Sequence, residues 1–441
     1  MQTGDVISKA RAIHFIGIGG IGMSALARMM LGSHFRKRVS GSDASISAIT
    51  EELAKLGATI SLGHAAAQVP PDTDLAVYTI AISADNPELL EAKRRGVTII
   101  TYPEMLGLVS RDYYTIAISG THGKTTTTGM VAQLLLETEK EPTVVIGSLL
   151  QHGANGERRN FISGKGKYFV AEACEYRRSF LHLHPTILAI TNIDNDHLDY
   201  YRDLTDIQSA FRALAQKVPK EGFIIANVKD MLIKPIVEGV AATVIDYTRY
   251  IQMPPLTLRV PGMHNQMNAA VALAIAEVLK IPKEDAVAAL KKFPGTWRRF
   301  EYKGETRAGA AVYDDYAHHP TEIKATLKAA RELFPKRKII VVFQPHLYSR
   351  TKLLLNDFAR SFNEANEVVL APIYAAREPV DPEISSEILA EEIKKRGIPA
   401  IVFGNFSTIV THLQSSLKKG DVLITMGAGD IVKVGDQLFA Q

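Results

Sequence analysis

The chain has 441 residues, of which 46% are hydrophobic and 22% charged, a composition typical of a globular protein with about three domains. Its formal net charge is +4, which excludes the strongly basic surface that nucleic-acid-binding proteins use. The single cysteine, Cys174, excludes an internal disulfide. The polar start of the sequence predicts no signal peptide, and no apolar run approaches 18 residues. We therefore expect a cytoplasmic protein without membrane insertion.

The first motif is a glycine-rich turn between a predicted strand and a predicted helix. The apolar residues 12–16 read as a buried strand, Gly17-Ile18-Gly19-Gly20-Ile21-Gly22 follows, and residues 23–31 have a helical pattern. In this context G-x-G-x-x-G indicates a site for a nucleotide diphosphate, and Asp43, about 20 residues further on, could accept a hydrogen bond from a ribose hydroxyl. The motif alone is compatible with an NAD-dependent oxidoreductase, with another nucleotide diphosphate, or with a turn that binds nothing.

The alternation of strands and helices continues beyond this motif. Residues 75–80 and 97–101 read as strands, and Asn86-Pro87 opens a helix between them. The first unit is therefore predicted to end near residue 110.

The second motif follows a predicted strand at 113–119 and opens a helix that runs to residue 136. It reads Gly120-Thr121-His122-Gly123-Lys124-Thr125-Thr126, and such a turn lets backbone N–H groups and the helix N-terminus face a polyphosphate. Lys124 is expected on the β- and γ-phosphates of ATP, with the Thr125 hydroxyl on Mg²⁺. The usual pattern has glycine where this chain has Ile118, so the motif is the shorter G-x-x-G-K-T. A threonine-rich helix cap is the alternative.

Two further strands of this unit end in possible metal ligands. The strand at 168–171 leads to Glu172, and the strand at 186–191 leads to Asp196, His197 and Asp199. If both strands are parallel to the one before Gly120, their carboxyl ends share one edge of the sheet, where such sheets bind ligands. Because Mg²⁺ prefers oxygen, ligand chemistry alone favours Asp196 over His197. The alternative for Glu172 is a capping or solvated side chain.

Asn265 and Asn268 precede an alanine-rich helix predicted at 269–279. Their spacing of three allows both amides to face one ligand, such as the edge of a purine, although capping of the helix explains them as well. The break at Phe293-Pro294-Gly295 is predicted to end the second unit.

The third unit repeats the alternation, with strands predicted at 309–313, 338–343, 367–370, 400–403 and 421–425 and a helix at 321–333. Polar residues again stand where strands end, which favours a site over packed side chains: Asp314, Asp315, His318, His319, His346, Arg350 and Asp430. The predicted fold is α/β with three consecutive domains: Rossmann-like (1–110), P-loop ATPase (111–295) and Rossmann-like (296–441).

Together these motifs resemble the Mur ligase family, the ATP-dependent amide ligases of bacterial cell-wall synthesis. The resemblance covers nearly the whole chain, in the order HFIGIGGIGMSALA (14–27), SGSD (40–43), GTHGKTTTT (120–128), EACEYRRSFL (172–181), TNIDNDHLDYY (191–201), PGMHNQMNAA (261–270), RRFE (298–301), DDYAHHPTEI (314–323), FQPHLYSRT (343–351) and TMGAGDI (425–431). Each segment is weak evidence alone, whereas ten in order are strong.

The resemblance implies a reaction, and three alternatives to it stay open. The lactyl carboxylate of UDP-N-acetylmuramate would be joined to L-alanine through an acyl phosphate, giving ADP and phosphate, by a monomer or homodimer. The alternatives are attachment of a preformed peptide to the same sugar, an NAD-dependent oxidoreductase and a non-catalytic nucleotide-binding regulator. The three domains would bind, in order, the UDP-sugar, ATP and the amino acid.

The resemblance also implies roles for residues of this sequence. The UDP-sugar would contact Gly17, Gly19, Gly20, Met23, Ser24, Ser42 and Asp43. ATP would contact Gly120, Thr121, His122, Gly123, Lys124, Thr125, Thr126, Asn265, Asn268 and Asp315. Mg²⁺ would be held by Thr125, Glu172 and His197, the family pattern here overriding Asp196.

The catalytic residues implied by the resemblance are Lys124, Arg299 and His318, with Arg299 on the γ-phosphate. His346 and Arg350 would bind the amino acid. The sequence departs from the family at Leu347, where many relatives have arginine, and at Arg177-Arg178, where acidic or small residues often stand. Arg350 is therefore expected to bind the amino acid's carboxylate alone.

Overall fold

The computed structural model describes residues 5–152, 157–376 and 378–439, in which strands and helices alternate around three β-sheets of five, seven and six strands. These residues form two compact units. One comprises the residues up to Asn195 together with Asp203–Pro254 and Asn268–Lys292, and the other comprises Asp196–Arg202, Pro255–Met267 and the residues from Phe293 onward. The first two sheets lie in the first unit and the third sheet in the second. Within the described part of the chain, no helix is both long and apolar enough to cross a membrane.

The first sheet is entirely parallel, in the order β3-β2-β1-β4-β5. Its strands are β1 (Ala12–Ile16), β2 (Arg38–Asp43), β3 (Thr59–Leu62), β4 (Leu75–Tyr78) and β5 (Thr98–Thr101). The helices are α1 (Asp5–Lys9), α2 (Ile21–Leu31), α3 (Ala48–Lys55), α4 (Pro87–Arg94) and α5 (Tyr102–Ser110), with a short 3₁₀ turn at Ala66–Gln68. Strand β1 is buried throughout and lies in the middle, so the glycine turn that follows it stands where the strand order reverses.

The second sheet has the order β12-β11-β10-β6-β9-β7-β8, and its β7–β8 pair is antiparallel. The strands are β6 (Tyr114–Ser119), β7 (Thr143–His152), β8 (Glu157–Ile162), β9 (Tyr168–Glu172), β10 (Ile187–Ile190), β11 (Phe223–Ala226) and β12 (Thr243–Asp246). The helices are α6 (Lys124–Glu137), α7 (Leu204–Ala215), α8 (Lys234–Val237), α9 (Met263–Val278) and α10 (Lys283–Lys292), with 3₁₀ segments at Tyr176–His182 and Tyr247–Tyr250. Strands β9 and β10 flank β6 and run parallel to it, which confirms the expected common edge.

The third sheet has the order β13-β14-β18-β15-β16-β17, with β13 antiparallel to β14 and the other pairs parallel. The strands are β13 (Glu301–Glu305), β14 (Ala311–Asp315), β15 (Ile339–Phe343), β16 (Glu367–Leu370), β17 (Ala400–Val402) and β18 (Val422–Met426). The helices are α11 (Pro320–Leu333), α12 (Tyr348–Leu353), α13 (Leu355–Ala359), α14 (Ser386–Lys394), α15 (Phe406–Ser416) and α16 (Val432–Gln437). Alternate residues of β15 belong to two hydrophobic clusters, so this strand is buried on both faces, as parallel strands usually are.

The predicted α/β fold with three sheets is therefore what the structure shows, and most predicted strands differ from it by one or two residues at their ends. One boundary differs more. The alanine-rich helix begins at Met263 rather than at 269, so Asn265 and Asn268 both lie inside its first turns. The limits at residues 110 and 295 stay a prediction.

Candidate active site

The turn after β6 has a backbone that requires glycine at two positions. Gly120 and Gly123 have φ of +124° and +82°, a region that side chains with a Cβ rarely adopt. A Cβ at Gly120 would overlap the Thr191 hydroxyl, and one at Gly123 would lie 2.6 Å from Oδ1 of Asn268. Gly123 is also the residue before α6, whose free N–H groups open toward the turn. The turn therefore depends on glycine at both positions, and its role as a phosphate loop stays a prediction.

The segment after β10 fixes this loop. The backbone N–H groups of Thr121 and His122 donate to the backbone and side-chain oxygens of Asn192, at 3.0 and 2.9 Å. In return the N–H of Asp194 donates to Oγ1 of Thr121 at 2.9 Å, and Nε2 of His122 lies 2.9 Å from Oδ2 of Asp194. Asn192 was not assigned a role from the sequence, because a partner about 70 residues away has no local signal.

Lys124 is held over the loop by carbonyl oxygens and by a carboxylate. Its Nζ donates to the backbone oxygens of Gly120 and Thr121 at 2.6 and 3.0 Å, and to Oε1 of Glu175 at 3.1 Å. Burial alone would lower the pKa of Lys124, but the neighbouring Glu175 outweighs it, so the pKa is raised and the ammonium stays charged. Glu175 is 2% exposed and was also missed in the sequence.

Thr125 and Glu172 meet beside the loop. The Thr125 hydroxyl donates to Oε2 of Glu172 at 3.0 Å, and the N–H of Gly147 donates to Oε1 of Glu172 at 2.6 Å. A hydroxyl and a carboxylate are oxygen ligands of the kind Mg²⁺ prefers, so this pair fits the predicted metal. The third predicted ligand, His197, belongs to the other compact unit.

The glycine turn after β1 is bonded to the end of β2. The N–H groups of Gly17 and Ile18 both donate to the backbone oxygen of Ser42 at 2.9 Å, and the N–H of Gly19 donates to Oδ2 of Asp43 at 2.8 Å. Gly17 has φ +83°, and Gly20 precedes α2 without a side-chain cap. Asp43, predicted to face a nucleoside, therefore lies against the glycine turn.

A buried carboxylate, which the sequence analysis missed, supports Ser42. Glu88 is fully buried, and its Oε1 accepts from the Ser42 hydroxyl at 2.7 Å and lies 2.7 Å from Nδ1 of His64. Its Oε2 lies 2.6 Å from Nε2 of His14. Burial would raise the pKa of Glu88, but the hydrogen bonds from His14, Ser42 and His64 outweigh it and hold the pKa below the ordinary value.

Met23 and Ser24, also predicted to contact the UDP-sugar, are buried in α2. The Ser24 hydroxyl donates to the backbone oxygen of Ile21 at 3.0 Å and accepts from Nδ2 of Asn160 at 2.8 Å. The structure thus gives Ser24 protein partners, and its predicted role stays a prediction.

In the other unit, Asp196 is paired with Arg350. Nη2 of Arg350 donates to Oδ1 of Asp196 at 2.7 Å, and Nε2 of His197 lies 3.9 Å from Oδ2 of the same carboxylate. Burial would raise the pKa of Asp196, but His197 and Arg350 outweigh it, so the pKa is well below its ordinary range. Asp196, which ligand chemistry favoured for Mg²⁺, has an arginine as its partner.

The residues predicted to receive the amino acid lie together around Arg350. Nη1 of Arg350 is 3.3 Å from Nδ1 of His346, whose ring stacks on Tyr374 and meets the edge of His318 at 5.6 Å between centroids. Burial lowers the pKa of His318 to about 3, so its imidazole is neutral. Leu347, which stands where relatives often have arginine, is buried with φ +70°.

Three further residues with predicted roles lie in the compact unit that contains the third sheet: Asp315, Arg299 and Asn265. Asp315 accepts from the N–H groups of Phe300 and Ala317 at 2.7 and 2.8 Å, and burial raises its pKa to about 6. The Arg299 guanidinium lies 5.2 Å from the ring centroid of Tyr316. Asn265 is 5% exposed and donates to a backbone oxygen, that of Pro261, at 2.7 Å.

Three family models match consecutive parts of the chain. Residues 12–114 match the Mur ligase family catalytic domain, residues 118–250 the Mur ligase middle domain, and residues 298–429 the glutamate ligase domain of Mur ligases. The three matches follow the three sheets in order.

Whole-chain relatives agree with these matches. A UDP-N-acetylmuramate–L-alanine ligase of Clostridium acetobutylicum is 43% identical over 98% of both chains. Among solved structures, the UDP-N-acetylmuramate–alanine ligase of Thermotoga maritima is 29% identical with a TM-score of 0.79 over 97% of this chain and 98% of that one. A murein peptide ligase from Psychrobacter arcticus, 24% identical with a TM-score of 0.71 and the same coverage, shares the fold. The matches give no support to the oxidoreductase alternative. The chain belongs to the Mur ligase family.

Proposed function

We propose that this protein joins the lactyl carboxylate of UDP-N-acetylmuramate to L-alanine, with conversion of ATP to ADP and phosphate, in peptidoglycan precursor synthesis. The meeting of Lys124, Thr125 and Glu172 beside one glycine turn carries this proposal, because it combines a cation with two metal ligands at a phosphate loop. The named activity of the Clostridium acetobutylicum relative, 43% identical over 98% of both chains, supports the choice of substrates.

ATP binding is assigned to the phosphate loop and α6. The N-terminus of α6, which follows Gly123, would face the phosphates, and Lys124 neutralises charge on the β- and γ-phosphates. Thr125 and Glu172, with His197, would hold Mg²⁺, which supplies further neutralisation of phosphate charge. Asn265 and Asn268 are assigned to adenine, and Asp315 to the ribose or the phosphates.

The reaction requires activation of a carboxylate, which is a poor electrophile. A carboxylate oxygen of the sugar attacks the γ-phosphorus and ADP leaves, with Lys124 and Arg299 stabilising the charge of the transferring phosphoryl group. The amine of L-alanine then attacks the carbonyl carbon of the acyl phosphate, loses a proton and displaces phosphate. The turn of Gly17, Gly19 and Gly20, with Ser42 and Asp43, is assigned to the UDP part of the substrate.

The acceptor is assigned to His318, His346 and Arg350. A guanidinium suits the carboxylate of L-alanine, because its planar N–H groups match two oxygens. The low pKa of His318 keeps its imidazole neutral, so one ring nitrogen can accept a hydrogen bond from the incoming amine. We assign the reaction to the cytoplasm and to a monomer or homodimer.

Phosphate release from the purified protein tests this proposal. We expect release and amide product only when UDP-N-acetylmuramate, ATP, Mg²⁺ and L-alanine are all present, with each omission as a control. A preformed peptide that replaces L-alanine at higher kcat/KM would reassign the protein to peptide attachment. ATP turnover without amide product would indicate a regulator instead.

A further inference from the structure

Arg298, the neighbour of Arg299, is a buried arginine to which neither the motifs nor the proposed reaction assigns a role. It is 4% exposed, and its Nε donates to Oδ2 of Asp314 at 2.7 Å. Its Nη2 and Nη1 donate to the backbone oxygens of Gly427 and Gly429, at 2.7 and 3.0 Å. All three guanidinium nitrogens therefore donate to protein acceptors. The side chain stabilises the fold and is not positioned to bind a ligand.

The backbone on both sides of Arg299 is in an unusual conformation. Arg298 has φ +58° and Phe300 has φ +49°, the left-handed region that costs a residue with a Cβ about 1 kcal/mol or more. Two hydrogen bonds from the end of β14 hold this corner: the N–H of Tyr316 donates to the oxygen of Arg298, and the N–H of Phe300 donates to Oδ2 of Asp315, both at 2.7 Å. The corner is therefore fixed by specific contacts.

The counterion of Arg298 is itself anchored. Asp314 is fully buried, and its Oδ1 accepts from the Thr425 hydroxyl at 2.6 Å. A buried ion pair of this kind contributes little net stability compared with apolar packing, but it demands one geometry. Arg299, by contrast, is 28% exposed, and its Nη1 lies 3.8 Å from Oε1 of Glu322. A partly exposed arginine thus follows directly after a buried one that is held by three hydrogen bonds.

We propose that Arg298 is a positioning residue for phosphoryl transfer: its three hydrogen bonds hold the 298–300 corner in the conformation that directs Arg299 to the γ-phosphate. This inference rests on the proposed function, specifically on the role of Arg299. Arg298 acts only through Arg299 and does not touch the substrates.

A double-mutant cycle on kcat tests this dependence. Arg298→Lys keeps the charge but loses the fork of N–H groups, and we expect it to lower kcat by about 10–10²-fold with little change in KM for the three substrates. Arg299→Ala should lower kcat by about 10³-fold or more. Arg298→Lys in the Arg299→Ala background should have no further effect, because no arginine remains to be positioned.

The matched control is Arg331→Lys, since Arg331 also donates to backbone oxygens of this unit, those of Phe334, Arg337 and Glu364. It should change thermal stability without changing kcat. If Arg298→Lys does not fold, Thr425→Val loosens the same anchor through Asp314 and should show a smaller loss of kcat, again absent without Arg299.

The outcomes separate the inference from the proposed function. If the losses of kcat from Arg298→Lys and Arg299→Ala multiply in the double variant, the positioning role is wrong. Wild-type kcat in Arg298→Lys would also overturn it. Wild-type kcat in Arg299→Ala, or no amide product from the wild-type protein, would overturn the proposed function and the inference with it.

Discussion

The two glycine turns of this chain occupy similar places in their sheets and differ in charge. Each follows the middle strand of a largely parallel sheet and begins with a left-handed glycine, Gly17 with φ +83° and Gly120 with φ +124°. The glycines before the helices differ, since Gly20 has φ −60° and Gly123 has φ +82°.

The first turn donates an N–H to the carboxylate of Asp43, whereas the second leads into Lys124, whose ammonium lies over its own carbonyls. The left-handed glycine after each strand lets the chain turn sharply between strand and helix. The added cation and the Thr125 hydroxyl distinguish a turn suited to phosphoryl transfer from one suited to binding alone.

The largest expected effect tests the charge of the second turn. Lys124→Ala should lower kcat by about 10²–10³-fold or more, because charge on the transferring phosphoryl group loses a fixed cation. The same substitution removes the cation that faces the buried carboxylate of Glu175, so the comparison should be made in a Glu175→Gln background. Phosphate release measures kcat, and thermal unfolding verifies the fold of both variants. If Glu175→Gln has the same kcat with and without Lys124→Ala, the charge of Lys124 does not distinguish the two turns.

A pair of glycine substitutions tests the left-handed backbone in each of the two turns. Gly123→Ala and Gly17→Ala should each cost about 1–3 kcal/mol of conformational strain. A Cβ would lie 2.6 Å from Oδ1 of Asn268 in the first case and 2.7 Å from Cγ2 of Thr79 in the second. We expect the first to raise KM for ATP and the second to raise KM for the UDP-sugar.

Gly57→Ala is the control for this pair, since Gly57 has φ +101° and open space around an added Cβ. It should lower thermal stability and leave both KM values unchanged. The assignment of ligands to the two turns would be wrong if each substitution raised the KM of the other ligand.

A smaller effect is expected for the carboxylate at the first turn. Asp43→Asn weakens the hydrogen bond from Gly19, and a charged hydrogen bond contributes about 1.5–3 kcal/mol, so KM for the UDP-sugar should rise by about tenfold or more. The KM for ATP should not change. A rise in both KM values would indicate a general loss of structure.

The smallest expected effect is on folding stability, through Glu88, the buried carboxylate that accepts a hydrogen bond from Ser42. The pKa of Glu88 is lower in the folded protein than its ordinary value of 4.5, so its ionised form stabilises the fold above that pH. This stabilisation is lost as the pH falls through the folded-state pKa. Between pH 7 and pH 3, the free energy of unfolding measured with denaturant should fall more steeply in the wild type than in Glu88→Gln. An equal dependence on pH in the two proteins would contradict the role of this carboxylate.

The sequence predicted what depends on neighbouring residues. Strand, glycine turn and helix follow one another locally, so the turns at Gly17 and Gly120 and the convergence of Thr125 with Glu172 at adjacent strand ends were predictable. Seven strands were not predicted, and all lie at or next to an edge of their sheet, where pairing leaves little local pattern: β2, β3, β7, β8, β11, β12 and β13. The early start of α9 at Met263 was missed because asparagine is a weak helix former that its context overrides.

The partners of the site residues were less predictable than the residues themselves. Three hydrogen bonds join polar residues that are far apart in the sequence: Lys124 to Glu175, His122 to Asn192 and Ser42 to Glu88. No periodicity or motif marks such contacts. They require the folded chain, and they determine which charges the two turns present.

The transfer of an oxygen atom from substrate to phosphate tests the central claim most directly. If the carboxylate oxygen of the sugar attacks the γ-phosphorus, one carboxylate oxygen must leave with inorganic phosphate when the amide forms. UDP-N-acetylmuramate labelled with ¹⁸O in its lactyl carboxylate should therefore yield singly labelled phosphate, seen by mass spectrometry, when ATP, Mg²⁺ and L-alanine are present. Label in AMP would indicate an adenylate instead. Unlabelled phosphate released together with the amide product would contradict the acyl-phosphate mechanism and the roles given to Lys124, Arg299 and Glu172.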